Sequence, residues 1–172
     1  QRGTGIHHLL AFAGARKPVV VWKSPGQTHT AFQEGLYLGF FHSVPFPKAD
    51  HNTRPDAALE AWFLDYGPLY NAMRGKKWVL QPHILEVTSS NARANIFEVP
   101  SGYVVPVVFG GDATSATLEI GALPIDPLHP VEVLHPGAAT PTTLTPTPQG
   151  DRMVLNVPLV NGCAMLRLRA DK

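Results

Sequence analysis

The chain has 172 residues, of which 44% are hydrophobic, and its formal net charge is +1. That length suffices for one domain or two small ones, and the hydrophobic share is typical of a chain that folds. The nearly balanced charge provides no basic field for nucleic acid, and no apolar run reaches the roughly 18 residues of a membrane-spanning helix. We therefore expect a globular protein whose partner is neither a nucleic acid nor a membrane.

Aromatic residues are concentrated in the first half of the chain. Every tryptophan and most of the tyrosines and phenylalanines precede residue 81, and valine, threonine, leucine and proline dominate afterwards. A compositional shift of this size is typical of a domain boundary. The sequence therefore predicts an α+β protein in two parts: an aromatic-rich, partial α/β segment over residues 1–80 and an antiparallel β-sandwich over residues 81–172.

The first part begins with a strand and a helix. The run KPVVVW at Lys17–Trp22 is short, β-branched and apolar, which indicates a buried strand. A Ser-Pro-Gly loop follows, and Thr28 or Thr30 is a candidate N-cap for the next helix. Apolar side chains recur four residues apart in the run AFQEGLYLGFF, the last of them Phe40, so we predict a helix there.

A proline-rich loop and a second helix complete the first part. Three prolines interrupt residues 44–55, which therefore cannot form a regular element. Residues 56–77 carry an apolar stripe and a basic end punctuated by Gly75, a pattern typical of a helix. Gly67 and Pro68 lie inside this run and are expected to break or kink the helix.

The second part contains about seven short runs with strand patterns. Several alternate apolar with polar residues, as at Thr117–Ile120, and turn signals such as Ser101–Gly102 separate them. We predict an antiparallel sandwich with Pro106 and Pro158 on edge strands or at bulges, because proline cannot donate to a ladder. The single Cys163 cannot form an internal disulfide and is expected to be a small buried side chain.

Two carboxylates are candidates for catalysis. Asp50 precedes His51 in the proline-rich loop, where it either contacts a substrate hydroxyl or caps an Asx turn. Glu34 lies in the apolar helix, where a core-facing carboxylate would need a partner and a water-facing one would have no function. Glycoside hydrolysis uses two carboxyl groups about 5–10 Å apart, and Glu34 and Asp50 are candidates for such a pair.

Polar and aromatic residues beside two loops are candidates for substrate binding. Lys23 and His29 follow the VVVW strand, a position that is the active end of a strand in parallel α/β proteins. Trp22 and Phe46 lie on or beside loops, where a ring can stack on the apolar face of a sugar, and His51 completes the set. The other rings, at helical spacing, are expected to be core.

The sequence contains no motif for a metal or a cofactor. None of the eight histidines has the HExxH or Cys/His spacing of a metal site. The segment GGDATS lacks the lysine of a phosphate-binding loop, and no GxSxG elbow of an esterase is present. We therefore expect neither a metal nor a cofactor.

The order of these segments follows a known layout. VVVW, EGLYLGF and PFPKADH are in turn a strand, a helix and a loop, DYGPLYNAMRGKKWVLQPH is a closing helix, and ANIFEVPSGYVVPVVFGG is a first hairpin. This layout resembles the C-terminal region of a glycoside hydrolase, in which a (β/α)₈ barrel is followed by a β-sandwich. The resemblance implies a carbohydrate-active protein in which Asp50, His51, His29 and Lys23 line the sugar site. It includes no catalytic signature that maps residue by residue.

The resemblance also implies that the barrel is incomplete. A full barrel takes about 250 residues, so the first part corresponds to its last two βα units. An incomplete barrel exposes sheet edges and apolar helix faces, so we expect a homo-oligomer or a missing N-terminal segment. The alternative is a non-catalytic carbohydrate-binding or assembly module, whose sandwich recognises the sugar and whose aromatic half forms an oligomer interface.

Overall fold

The computed structural model describes residues 19–22, 28–43, 57–89, 91–125 and 129–171. In these ranges the chain forms two helices, α1 (His29–Leu38) and α2 (Ala57–Ala72), and thirteen strands. The strands, in chain order, are β1 (Val19–Trp22), β2 (Phe40–Ser43), β3 (Lys77–Trp78), β4 (Leu85–Val87), β5 (Arg93–Ala94), β6 (Phe97–Val99), β7 (Gly102–Val108), β8 (Ser115–Ile120), β9 (Val131–Leu134), β10 (Thr142–Leu144), β11 (Thr147–Gln149), β12 (Arg152–Pro158) and β13 (Ala164–Arg169).

Most of the strands belong to two antiparallel sheets. The larger sheet has the strand order β10-β9-β13-β7-β6-β3, with β5 also paired to β7, and the smaller sheet has the order β11-β12-β8-β4. The two sheets share a core that includes Val105, Leu118, Leu155 and Leu166. This confirms the predicted α+β class with a sandwich-like arrangement. The strand β3 precedes residue 81 and joins the larger sheet, and a domain boundary near that residue stays a prediction.

The two helices cover the outer face of the larger sheet. Side chains of β7 and β13 alternate between its faces, so that Val104 and Met165 pack on the helices while Val105 and Leu166 pack on the smaller sheet. Both strands are therefore buried on both faces, which explains why GYVVPVV is an almost continuous apolar run. The result is three layers, in the order helices, larger sheet, smaller sheet.

Pro106 lies in β7, an interior strand, so the expectation of an edge strand was wrong. Its carbonyl accepts a hydrogen bond from the backbone N–H of Asn95 (3.2 Å), in the gap between β5 and β6. The imino nitrogen of Pro106 faces the same gap, because the N and O of one residue point to the same neighbour in an antiparallel ladder. The reciprocal ladder bond, from position 106 to the Asn95 carbonyl, is the one that proline cannot donate. Pro158, in contrast, ends β12 beyond the three residues that pair with β11.

The strands β1 and β2 form a separate parallel pair, and α1 lies between them in the chain. Thr28 caps α1, because its side-chain oxygen accepts a hydrogen bond from the N–H of Ala31 (3.2 Å). Gly39 ends α1 in the left-handed conformation (φ 70°), which glycine adopts readily. Phe40 therefore starts β2 and does not extend the helix, contrary to the prediction from its spacing.

The helix α2 continues through Pro68, so the predicted break was wrong, and a kink at this position stays a prediction. Proline removes the hydrogen bond to the carbonyl four residues earlier, which belongs to Leu64. Pro68 and Leu64 are both exposed, the latter at 71%. Water can therefore hydrogen-bond the released carbonyl, and the helix continues. Neither described helix has the length and apolar character needed to cross a bilayer.

Cys163 is fully buried on the helix-facing side of the larger sheet, as the sequence predicts. Burial raises the pKa of its thiol well above the ordinary value. Since the thiolate is the reactive form, we expect no reaction with an aromatic disulfide reagent in the native protein and full reaction in guanidinium. Absorbance of the released thiol measures both. Rapid reaction of the native protein would contradict the described burial.

Candidate functional site

The strands β1 and β2 end at the same edge of their parallel pair. Their register pairs Trp22 with Ser43, the last residue of each strand. The strands that precede residues 23–27 and 44–56 in the chain therefore end side by side, about 4.8 Å apart as neighbours in a sheet. In parallel α/β units ligands bind at the carboxyl ends of the strands. This edge is the candidate functional site, and we call it the strand-end edge.

Most of the residues that the sequence nominates for the site follow these two strand ends in the sequence. Lys23, Phe46, Asp50 and His51 lie outside the described residues. Trp22 is described as the last residue of β1, but its side chain is not. The roles of these five residues therefore stay predictions.

His29, the first residue of α1, is the predicted binding residue whose contacts are described in full. Its ring is half-buried and meets Trp62 of α2 edge-on, with 4.7 Å between the ring centroids. Its Nδ1 lies 2.9 Å from the hydroxyl oxygen of Tyr66. Within the described parts of the chain, no hydrogen bond reaches Nε2. That nitrogen is available to a ligand at the N-terminal end of α1.

Gln33, one turn after His29, connects the helices to the loops of the sandwich. Its side chain is buried, with 2% of the residue exposed. Its Nε2 donates to the hydroxyl oxygen of Tyr66 (3.2 Å) and to the carbonyl of Asn161 (2.7 Å). Its Oε1 accepts from the backbone N–H of Phe109 (2.7 Å). One amide thus joins α1, α2 and two turns of the sandwich.

Tyr66 lies between His29 and Gln33 and is fully buried. Burial raises the pKa of its hydroxyl well above the ordinary value and outweighs the opposing effect of the hydrogen bond from Gln33. Tyr66 therefore keeps its proton at neutral pH. We call the three side chains of His29, Tyr66 and Gln33 the hydrogen-bonded chain.

Aromatic rings pack around the hydrogen-bonded chain and restrict its movement. Phe32 is stacked on Tyr66 with 5.2 Å between the centroids and on Trp62 with 5.9 Å. Phe63 meets Phe32 edge-on at 5.3 Å. Such pairs contribute about 0.5–1.5 kcal/mol each beyond the area that they bury. Phe32 is fully buried, which agrees with the expectation that rings at helical spacing are core.

Glu34, the second predicted carboxylate, is half-buried in α1. It follows His29 by five residues, about 7.5 Å along a helix axis. Burial raises the pKa of Tyr70 on α2, and the charge of Glu34 adds to this shift. Glu34 lies one to two turns after the N-terminal end of α1, and its catalytic role stays a prediction.

Three residues that contact His29 or its partner Tyr66 were not identified as site candidates from the sequence. Trp62 was assigned to the apolar stripe of α2, and Tyr66 and Gln33 were not singled out. A glutamine between Phe32 and Glu34 in an otherwise apolar helix is the signal that was available, because a buried amide must find hydrogen-bond partners. No sequence pattern identifies those partners, since they are 33, 76 and 128 residues away in the chain.

No protein-family model matches the chain, and no curated protein matches it. Among solved structures, the catalytic domain of GH30 xylanase C from Talaromyces cellulolyticus is similar, with a TM-score of 0.46 and 11% sequence identity. The match covers 89% of this chain and 37% of that one. The chain is thus weakly similar in structure to a glycoside hydrolase catalytic domain and spans well under half of its length.

Proposed function

We propose that the chain is the C-terminal part of a glycoside hydrolase and forms part of a sugar-binding and hydrolysing site. The observation that carries the proposal is the parallel register of β1 and β2, in which Trp22 and Ser43 end side by side. Lys23 directly follows one of these strand ends in the sequence, and Phe46, Asp50 and His51 follow the other, at the usual ligand edge of parallel α/β units. The sandwich behind the helices corresponds to the accessory domain of the layout that the sequence resembles.

Each nominated residue has a role in this proposal. Asp50 and Glu34 are the two carboxyl groups that hydrolysis requires. Trp22 and Phe46 stack on the apolar faces of the sugar. Three polar residues contact its hydroxyl groups, namely Lys23, His29 and His51.

We further propose that other chain segments complete the site. Within the described residues, β1 pairs only with β2, whereas parallel sheets are normally larger and covered on both faces. The covering segment is a longer N-terminal part of the protein or a second copy of the chain.

Activity of the purified full-length protein on a panel of chromogenic glycosides tests the proposal, with its mass in solution measured alongside. Turnover of any glycoside supports the hydrolase. An inactive oligomer that still binds oligosaccharides in calorimetry supports the binding or assembly module instead. A protein that neither hydrolyses a glycoside nor binds an oligosaccharide would overturn both hypotheses.

Replacing Asp50 with alanine should reduce turnover at least a hundredfold or abolish sugar binding, since a positioned carboxyl group contributes about 10²–10⁴-fold to such reactions. Steady-state kinetics on the best glycoside of the panel measures the effect. Asp151→Ala is the matched control, because Asp151 is exposed in the turn between β11 and β12. Equal activity of the two variants would remove Asp50 from the site.

A further inference from the structure

We infer that Tyr66 and Gln33 are positioning residues that hold His29 in its Nε2–H tautomer, so that His29 presents a hydrogen-bond donor to an acceptor oxygen of the ligand. The inference rests on the proposed function only for the nature of the ligand. Its physical basis is the direction in which protons point along the hydrogen-bonded chain. That direction follows from two backbone groups that have no choice of role.

The first step fixes the amide of Gln33. The backbone N–H of Phe109 can only donate, so the side-chain atom 2.7 Å from it must be the oxygen Oε1. The carbonyl of Asn161 can only accept, so the atom 2.7 Å from it must be the nitrogen Nε2. A flipped amide would place like groups against each other at both contacts. The second hydrogen of Nε2 then points to Tyr66.

The second step fixes the hydroxyl of Tyr66 and the ring of His29. The hydroxyl oxygen accepts from Gln33, so its single proton is left for Nδ1 of His29, 2.9 Å away. If Nδ1 carried a proton instead, the buried hydroxyl proton would have no acceptor among the described atoms, which is unfavourable for a buried donor. Nδ1 is therefore the acceptor, and the ring proton is on Nε2.

The two backbone groups that bind Gln33, at the end of the hydrogen-bonded chain away from His29, lie in residues with an unusual conformation. Phe109 and Asn161 both have positive φ, 60° and 52°, a conformation that is uncommon for residues other than glycine. Both present their backbone groups to Gln33. Strained backbone of this kind is concentrated at functional sites. The sandwich backbone thus orients the amide of Gln33, which orients the hydroxyl of Tyr66. That hydroxyl in turn orients the imidazole of His29.

As a consequence, His29 is expected to prefer ligand oxygens that accept a hydrogen bond. Nε2–H of His29 can donate to the hydroxyl or ring oxygen of a sugar, and this donor cannot change into an acceptor without breaking the bond from Tyr66. Trp62, edge-on to the imidazole, restricts the plane in which the donor points.

Nitrogen-15 NMR of histidine-labelled full-length protein tests the tautomer directly, at about pH 8, above the ordinary histidine pKa. Long-range proton–nitrogen correlations distinguish a bare Nδ1 from a protonated one, and loss of the signal in His29→Asn assigns it. We expect a bare Nδ1 and a protonated Nε2 in the wild type. A protonated Nδ1 would overturn the inference. The tautomer is read from the wild-type protein, so the result does not depend on whether a variant folds.

Gln33→Glu is expected to reverse the direction of hydrogen-bond donation along the hydrogen-bonded chain. A carboxyl group at position 33 that keeps its proton donates it to the Asn161 carbonyl and accepts from the Phe109 N–H and the Tyr66 hydroxyl. The Tyr66 oxygen then accepts from His29, and Nδ1 becomes protonated. Tyr66→Phe removes the donor and should give a mixture of tautomers. Tyr70→Phe is the matched control, because Tyr70 is on the same helix and its hydroxyl donates to the carbonyl of Phe32 (2.6 Å). An unchanged Nδ1 signal in both Gln33→Glu and Tyr66→Phe would overturn the positioning role.

Calorimetry with the sugar identified in the glycoside panel gives a second readout. Tyr66→Phe should bind about two- to tenfold more weakly than the wild type, and Tyr70→Phe as tightly as the wild type, since one oriented hydrogen bond is affected. The tautomer measurement is independent of any sugar. A correct tautomer in a protein that binds no sugar would therefore overturn the proposed function and leave the positioning role intact.

Discussion

Replacing Gly162 with alanine is expected to lower the free energy of unfolding by about 3–5 kcal/mol. Gly162 has φ 66°, and a Cβ there would lie 2.4 Å from the backbone N of Gly111 and 2.9 Å from its carbonyl oxygen. Both atoms belong to the main chain, so no side-chain rotation relieves the contact. The turn carries Asn161, whose carbonyl holds Gln33, so the damage extends to the hydrogen-bonded chain.

Gly150→Ala is the matched control for this change. Gly150 has φ 63°, nearly the value at Gly162, and a Cβ there would meet nothing within 4 Å. Only the left-handed conformation is penalised, by about 1–2 kcal/mol. Urea unfolding of both variants measures the difference. Equal losses of stability would show that backbone conformation alone, and not the contact with Gly111, determines the effect.

Replacing Gln33 with leucine is expected to lower the free energy of unfolding by about 2–6 kcal/mol, the sum of about 1–3 kcal/mol for each of two unsatisfied groups. The backbone N–H of Phe109 and the carbonyl of Asn161 both lose their partner, while leucine offers none. The hydroxyl of Tyr66 also loses the donor that orients it. Apolar burial by leucine offsets part of the loss, because an isosteric apolar group fills the same space.

Gln81→Leu makes the same chemical change at an exposed position and is expected to alter stability by less than about 0.5 kcal/mol. Thermal or urea unfolding of the two variants gives the comparison. If Gln33→Leu were as stable as Gln81→Leu, the hydrogen bonds at Phe109 and Asn161 would have no energetic weight. The hydrogen-bonded chain would then make no contribution to the stability of the fold.

Local chemistry determined much of the fold. The β-branched run before Trp22 is a strand, Thr28 caps α1, and the alternation at Thr117–Ile120 gives the buried and half-buried pattern of β8. Each of these features depends on neighbours within a few residues, through turn sterics, capping or side-chain period. The α+β class and the sandwich-like sheets were therefore predictable from the sequence.

Tertiary structure decided the features that depend on distant residues. Phe40 has helical spacing but begins β2, Pro106 occupies an interior strand beside a gap in the ladder, and Pro68 stays within a helix whose exposed side faces water. Gln33 joins α1 to Asn161, 128 residues away. No local pattern encodes such partners, because a buried donor is satisfied by whichever acceptor the packing of layers brings to it. The sequence by itself determined the kinds of elements and the chemistry on the loops, and packing decided which of them meet.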